Sequence, residues 1–135
     1  MKVKFKSILT IYNNILPIAP SLLDREFTEN ELGNAFGRAL KVIRLHKGLT
    51  LKELSAEIDI PFQTINRYEN GVNIPTITQA IKIVDYFNLP IEMFLLFGLI
   101  EIYENIDMTK EYDKFQEQLA EVRRANVLRK AKGGK

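Results

Sequence analysis

The side chains of this sequence best placed to do chemistry lie in PFQTINRYENG, residues 61–71. Gln63 and Arg67 stand one helical turn apart, which puts an amide and a forked guanidinium on the same side of a helix. Both groups make paired hydrogen bonds with planar polar partners, and neither carries protons back and forth near neutral pH. Ile65 and Tyr68 are the obvious core residues of the segment. Burying them leaves Phe62, Gln63, Thr64, Asn66 and Arg67 near the outer face, a surface suited to recognition by contact.

Catalytic and metal chemistry find little support. With no Cys and His46 as the sole histidine, the chain cannot build a Cys/His zinc site, a thiol nucleophile or a disulfide framework. No GxxxxGK[ST] phosphate loop is present, and no nucleophile stands beside a convincing base. The expectation is a protein that is not an enzyme and takes no cofactor. His46, beside Lys47 and Gly48 at a helix end, suits a cap-side or phosphate-facing role better. The 135 residues are 46% hydrophobic and 27% charged, which suits one compact domain with an appended element. The formal net charge is only +2, so any nucleic-acid footprint must come from local placement of charge. No run approaches the roughly 18–20 apolar residues of a membrane span. Lys2, Lys4 and Lys6 ahead of an apolar stretch imitate a signal peptide, but Asn13 and Asn14 interrupt it and no clear cleavage site follows. The lack of Cys fits a reducing cytoplasm, which is the expected location.

The outer face of 61–71 must be positioned by short helices with clear start signals. Thr28 with Glu31, Thr50 with Glu53 and Thr76 with Gln79 all have capping-box spacing. The first pair opens a helix that turns Leu32, Phe36, Leu40 and Ile43 toward a core and ends at Gly48. The second opens LKELSAEI, with Leu51, Leu54 and Ile58 on one side. The third opens a stripe of Ile77, Ala80, Ile81 and Val84 that stops at Asn88. Only Asp59 and Ile60 separate LKELSAEI from the 61–71 segment, which Gly71 closes as a C-terminal cap. Two helices joined so tightly, the second with a small polar face, describe a helix-turn-helix. Ile60 plugs the turn, and Ser55 is small where the two helices approach.

The flanks are less explicit. Phe5, Ile8, Leu9, Tyr12, Ile15 and Leu16 make an apolar stripe, so residues 3–16 are predicted to form a helix that Pro17 stops. Pro17, Pro20 and Ser21 mark a connector, with a short helical turn around Leu22 and Leu23. After Pro90, IEMFLLFGLIEIY is apolar nearly all round and must be covered on more than one side, by the N-terminal helix or by a second subunit. A last helix follows Thr109, with Tyr112, Phe115, Leu119, Val122 and Asn126 in a coiled-coil-like register. Folding back on its own domain and pairing with a second chain fit that stripe equally. Arg123, Arg124, Arg129, Lys130, Lys132 and Lys135 carry all the charge of the final stretch, which a solvated, dipole-matched helix end explains more simply than phosphate contact.

From about Gly37 to Leu96 the chain resembles the phage-repressor and Cro family of helix-turn-helix proteins, also called XRE-like or lambda-repressor-like. The resemblance rests on R-x-x-x-G-L-T at Arg44–Thr50, the ELS step at 53–55, RYENG at 67–71 and the following Pro75-Thr76, all in order at the family's spacing. Both flanks lie outside it. It implies an all-α, five-helix DNA-binding domain over residues 28–99, with the helix 61–70 entering the major groove. An N-terminal helix and connector (1–27) would precede it, and a C-terminal amphipathic helix with a basic tail (100–135) would follow.

Carried over by the resemblance, Phe62, Gln63 and Arg67 are base-edge readers, with Thr64 and Asn66 beside them. The chemistry agrees: Gln pairs bidentately with adenine, Arg with guanine, and an apolar side chain meets the thymine methyl. Asn70 matches a phosphate contact, Asn73 sits in a loop near the backbone, and Lys52, Arg38 and Lys41 are further phosphate candidates. Arg44 and Glu69 match the pair that ties the first helix to the end of the recognition helix. Three positions depart from the family. Leu51 replaces a Gln that donates to phosphate, Asp59 replaces a turn Gly, and Pro61 replaces a Ser or Thr cap while presetting the first turn. The implied function is a sequence-specific, repressor-like transcriptional regulator, a homodimer on a palindromic double-stranded DNA operator, without membrane association. The alternative is an antitoxin-like or adaptor protein that binds a protein partner through its flanking helices and DNA only for autoregulation.

Overall fold

The computed structural model describes residues 2–4, 22 and 24–133. Lys2–Lys4 (β1) pairs antiparallel with Glu26–Thr28 (β2), with Val3 opposite Phe27. Thr28 is extended (φ −78°, ψ 163°), so β2 runs directly into the cap of the helix Glu29–His46 (α1). Both halves of the Thr28/Glu31 capping box form, at 3.0 and 3.1 Å. Tyr103 Oη donates to Glu31 Oε2 at 2.5 Å, and Arg25 adds an ion pair at 3.0 Å. Led by the tyrosine bond, these contacts hold the Glu31 carboxyl down at about 2.

The helix expected from residue 3 does not include Val3 and Lys4, which are strand. Lys-Val-Lys alternates with the period of a strand, and β2 offers its backbone a partner beside an already extended cap residue. The remainder of that expected helix, Phe5 to Leu16, lies outside the described residues, as do Pro17, Pro20, Ser21 and Leu23. Leu22 is helical and buried.

Five more helices are described: Leu51–Ile58 (α2), Phe62–Glu69 (α3), Ile77–Tyr86 (α4), Ile91–Glu104 (α5) and Thr109–Gly133 (α6). The expected all-α architecture therefore holds, with one small strand pair beside it. Gly48 (φ 72°) and Asn88 (φ 57°) follow α1 and α4 in the left-handed conformation, at the two stops the sequence marks. The third capping box forms by half. Thr76 Oγ1 accepts from Gln79 N at 3.2 Å, whereas Gln79 Oε1 is buried without a hydrogen-bond partner.

On α5, Met93, Phe94, Leu96, Phe97, Leu99 and Ile100 are all buried. Among the described residues α1 packs against them most closely. Phe36 meets Phe94 with ring centroids 5.1 Å apart. Gly98 lies so close to α1 that a Cβ there would fall 1.8 Å from Ala35 O. The buried face of α1 is wider than its large apolar stripe suggests, because Ala35, Gly37 and Ala39 are buried in it too. Small residues bring helix axes together, and periodicity counts made on large side chains miss them.

The first part of α6 folds back on its own domain. Tyr112 is buried, Phe115 packs against the core, and Gln116 Nε2 donates to Phe87 O. Arg123 Nη2 donates to Asn88 Oδ1 at 3.0 Å, and Asp113 meets His46 Nε2 at 2.9 Å. Beyond Leu119 the stripe leaves the body, and Val122, Val127 and Leu128 are 55%, 66% and 59% exposed. Among the described residues no single helix is long and apolar enough to cross a membrane.

Candidate nucleic-acid interface

The polar face is built on α2 and α3 by local rules. Thr50 and Glu53 form a complete capping box at 3.0 Å each way, which starts α2 and lowers the Glu53 carboxyl below its usual range. Asp59 ends α2 in the left-handed region (φ 55°, ψ 48°), the conformation that its Asp-for-Gly replacement tolerates. Ile60 is buried in the turn. Ser55 Oγ donates to Ile60 O at 2.6 Å, so this side chain does more than leave room: it ties the turn to α2. Pro61 (φ −53°) opens α3 with no side-chain cap bond.

Behind α3, Ile65 and Tyr68 are buried, and burial raises the Tyr68 phenol above its ordinary value. Arg44 of α1 grips Glu69 in a fork, Nε to Oε2 at 2.7 Å and Nη2 to Oε1 at 2.9 Å, and Arg44 Nη1 donates to Leu49 O at 2.7 Å. The two side chains are 8% and 2% exposed. The pair joins α1, the loop before α2, and the last turn of α3. Gly37 completes the clamp: a Cβ on it would lie 2.0 Å from Tyr68 O, so the backbones of α1 and α3 meet there with no side chain between them.

In front, Gln63, Asn66 and Arg67 are exposed, while Phe62 and Thr64 are half-buried. Lys52 Nζ lies 5.5 Å from the Phe62 ring centroid, a cation over an aromatic face that spans α2 and α3. Among the described residues Arg67 has no acidic partner. Asn70 Nδ2 donates to Asn66 Oδ1 at 3.1 Å, linking one expected phosphate contact to one expected reader. Gly71 turns the chain at φ 71°, and Asn73 is exposed in the loop beyond. Leu51 is half-buried against the core, where the family's Gln would reach outward.

The remaining phosphate candidates separate. Lys41 and Lys52 are exposed. Arg38 is half-exposed but bound to Glu101 of α5 at 3.5 Å, so its cation is already shared with a buried carboxylate. His46 faces Asp113 and the edge of the Tyr112 ring, on the α6 side of the domain. The close approach at Gly37, the Ser55–Ile60 hydrogen bond and the Arg38–Glu101 contact go beyond what the sequence indicates for the site. Only Gly37 carried a signal there, as a glycine inside a helix where it costs about 1 kcal/mol relative to Ala unless close packing requires it. No group of three or more His, Asp or Glu side chains among the described residues could hold a metal ion.

The geometry gives a short polar helix, braced from behind by a buried ion pair and presented by a tight turn. Residues 40–94, which contain α2, α3, α4 and the bracing Arg44, match the helix-turn-helix family model. No curated protein and no solved structure matches the chain. Residues 40–94 are thus a helix-turn-helix domain of the phage-repressor type, the kind with which transcription regulators bind DNA.

Proposed function

We propose that the protein is a sequence-specific, repressor-like transcriptional regulator that lays α3 in the DNA major groove. The observation that carries this reading is the division of α3: Ile65, Tyr68 and Glu69 are held against the domain while Gln63, Asn66 and Arg67 project together from it. Gln63 suits the adenine edge and Arg67 the guanine edge. Phe62 keeps enough surface to meet a thymine methyl, with Lys52 beside its ring as a phosphate ligand. Thr64 and Asn66 flank these readers. Asn70, Asn73 and Lys41 are the remaining backbone contacts; Arg38 is the weakest, because it must leave or share Glu101. The protein acts on DNA in the cytoplasm, and its own residues suit no catalytic step.

One such helix covers a few base pairs, so the reading includes a homodimer on a palindromic operator with its recognition helices about 34 Å apart. The surface best suited to pairing is not the length of α5, because most of its apolar side chains are committed to its own core. It is the apolar groove of about 170 Å³ lined by Leu32, Phe36, Ile74, Ile77 and Leu95, where Ile77 is 79% exposed. Ile74 belongs to the loop that directly follows α3, so a two-fold axis there would also set the spacing of the two recognition helices.

Arg67→Ala is the discriminating variant. Each good bidentate pair with a base is worth about 1–3 kcal/mol of discrimination. The variant should therefore lose preference at one or two symmetric positions of the operator while keeping most of its affinity for other sequences. Asn70→Ala should weaken all sequences alike. Competition titrations with single-substituted duplexes measure both, and an equal loss at every sequence for Arg67→Ala would make that residue a phosphate contact.

A further inference from the structure

The charge of the chain is divided unevenly. Between Thr28 and Glu121, the part that folds as the body, nine Lys and Arg face fifteen Asp and Glu. After Glu121 there are six basic residues and no acidic one. A duplex approaching the body meets an excess of acid, and α3 itself carries one cation, Arg67, against Glu69, which is already neutralised by Arg44. Binding to the phosphate backbone requires cations in number, because each phosphate neutralised releases counterions and adds to affinity.

The second half of α6 carries them. Arg123, Arg124, Arg129 and Lys130 are exposed, Arg123 where the helix last touches the body and the others beyond it, and no carboxylate pairs with any of them among the described residues. Arg123 donates to Asn88 and Arg129 to Asn126, neutral partners that fix side chains without cancelling charge. At 1.5 Å per residue the stretch from Arg123 to Gly133 extends about 15 Å from that Asn88 contact. Dipole matching accounts for positive charge in the last turn only. Arg123 and Arg124 lie more than two turns before the helix end, so they need another explanation.

We infer that the basic half of α6 is a second DNA-binding element, which takes phosphates of the duplex outside the span read by α3 and supplies much of the salt-dependent affinity. The inference rests on the DNA-binding reading above. An acidic protein surface is the competing partner for the same charges.

The test uses the full chain with Arg124→Gln, Arg129→Gln and Lys130→Gln together. Gln keeps helix propensity close to that of Arg and Lys, and none of the three side chains is buried. Far-UV circular dichroism checks that α6 is retained. Affinity for a selected duplex with long flanks is then followed from 50 to 200 mM salt. Losing three phosphate contacts should flatten the slope of log K against log salt by about 2.7, so the loss of affinity over that range shrinks about 40-fold. The order of preference among base-substituted duplexes should stay that of the parent, and trimming the flanks should flatten the parent slope but not that of the variant. Arg124→Lys with Arg129→Lys should keep the parent slope. An unchanged slope in the triple variant overturns the inference and leaves the charges to solvent or to an acidic partner. If the parent shows no base preference, the reading of α3 fails; the slope on random duplex still decides the role of α6.

Discussion

Glu69→Ala is expected to destabilise the domain by about 3–5 kcal/mol, because it leaves the Arg44 guanidinium buried without its counter-charge. Arg44 is 8% exposed and is fixed at its other end by Leu49 O, so it cannot swing into water without giving up the loop before α2. Urea unfolding measures the loss. The reason is desolvation rather than the attraction of the pair itself, and this has a checkable corollary. Arg44→Met combined with Glu69→Leu should recover most of the stability that either single removal loses, since an apolar pair of similar volume avoids the cost of stranding a charge. The double variant should nevertheless bind its operator less well than its stability suggests, because the forked pair also sets the angle of α3. A small single-variant loss, within about 0.5 kcal/mol, would mean that the pair is solvated in the working protein.

Gly37→Ala is the second large effect expected. Alanine improves helix propensity by about 1 kcal/mol, and in an open helix it would stabilise. Here the new methyl would sit 2.0 Å from Tyr68 O and 2.9 Å from Tyr68 C, both backbone atoms, so α1 and α3 must separate. Overpacking of this kind costs about 1–3 kcal/mol and exceeds the propensity gain. The displacement falls on the residue before Glu69, which strains the ion pair as well. Gly98→Ala is the useful comparison, since its methyl meets Ala35 O at 1.8 Å, between α1 and α5 and away from α3. Both variants should unfold at lower urea than the parent. At temperatures where both remain folded, Gly37→Ala should lose DNA affinity and Gly98→Ala should largely keep it. Parent-like binding by Gly37→Ala would show that α3 does not depend on that backbone contact.

How much of this was legible depends on the range over which each interaction acts. Thr28 with Glu31, Thr50 with Glu53, Asp59 in its left-handed turn and the Gly71 stop are signals contained within a few residues, and the folded chain uses each of them. The third box failed by half because the Gln79 side chain is partly buried, where it no longer reaches the cap backbone. Arg44 and Glu69 were legible only through the resemblance, since nothing local joins residues 25 positions apart. Arg38 with Glu101, 63 positions apart, and His46 with Asp113, 67 apart, had no such guide. The packing of α1 on α5 had no periodic signal for a related reason: Ala35, Ala39 and Gly98 do not register as a stripe, yet they are buried or closely approached where the two helices meet.

Whether α3 reads bases is decided by selecting bound duplexes from random-sequence DNA with the full chain. The selection should enrich one palindromic motif whose half-sites are centred about one helical turn apart, with affinity falling steeply as salt rises. Recovery of duplexes with no sequence in common would contradict base reading by α3.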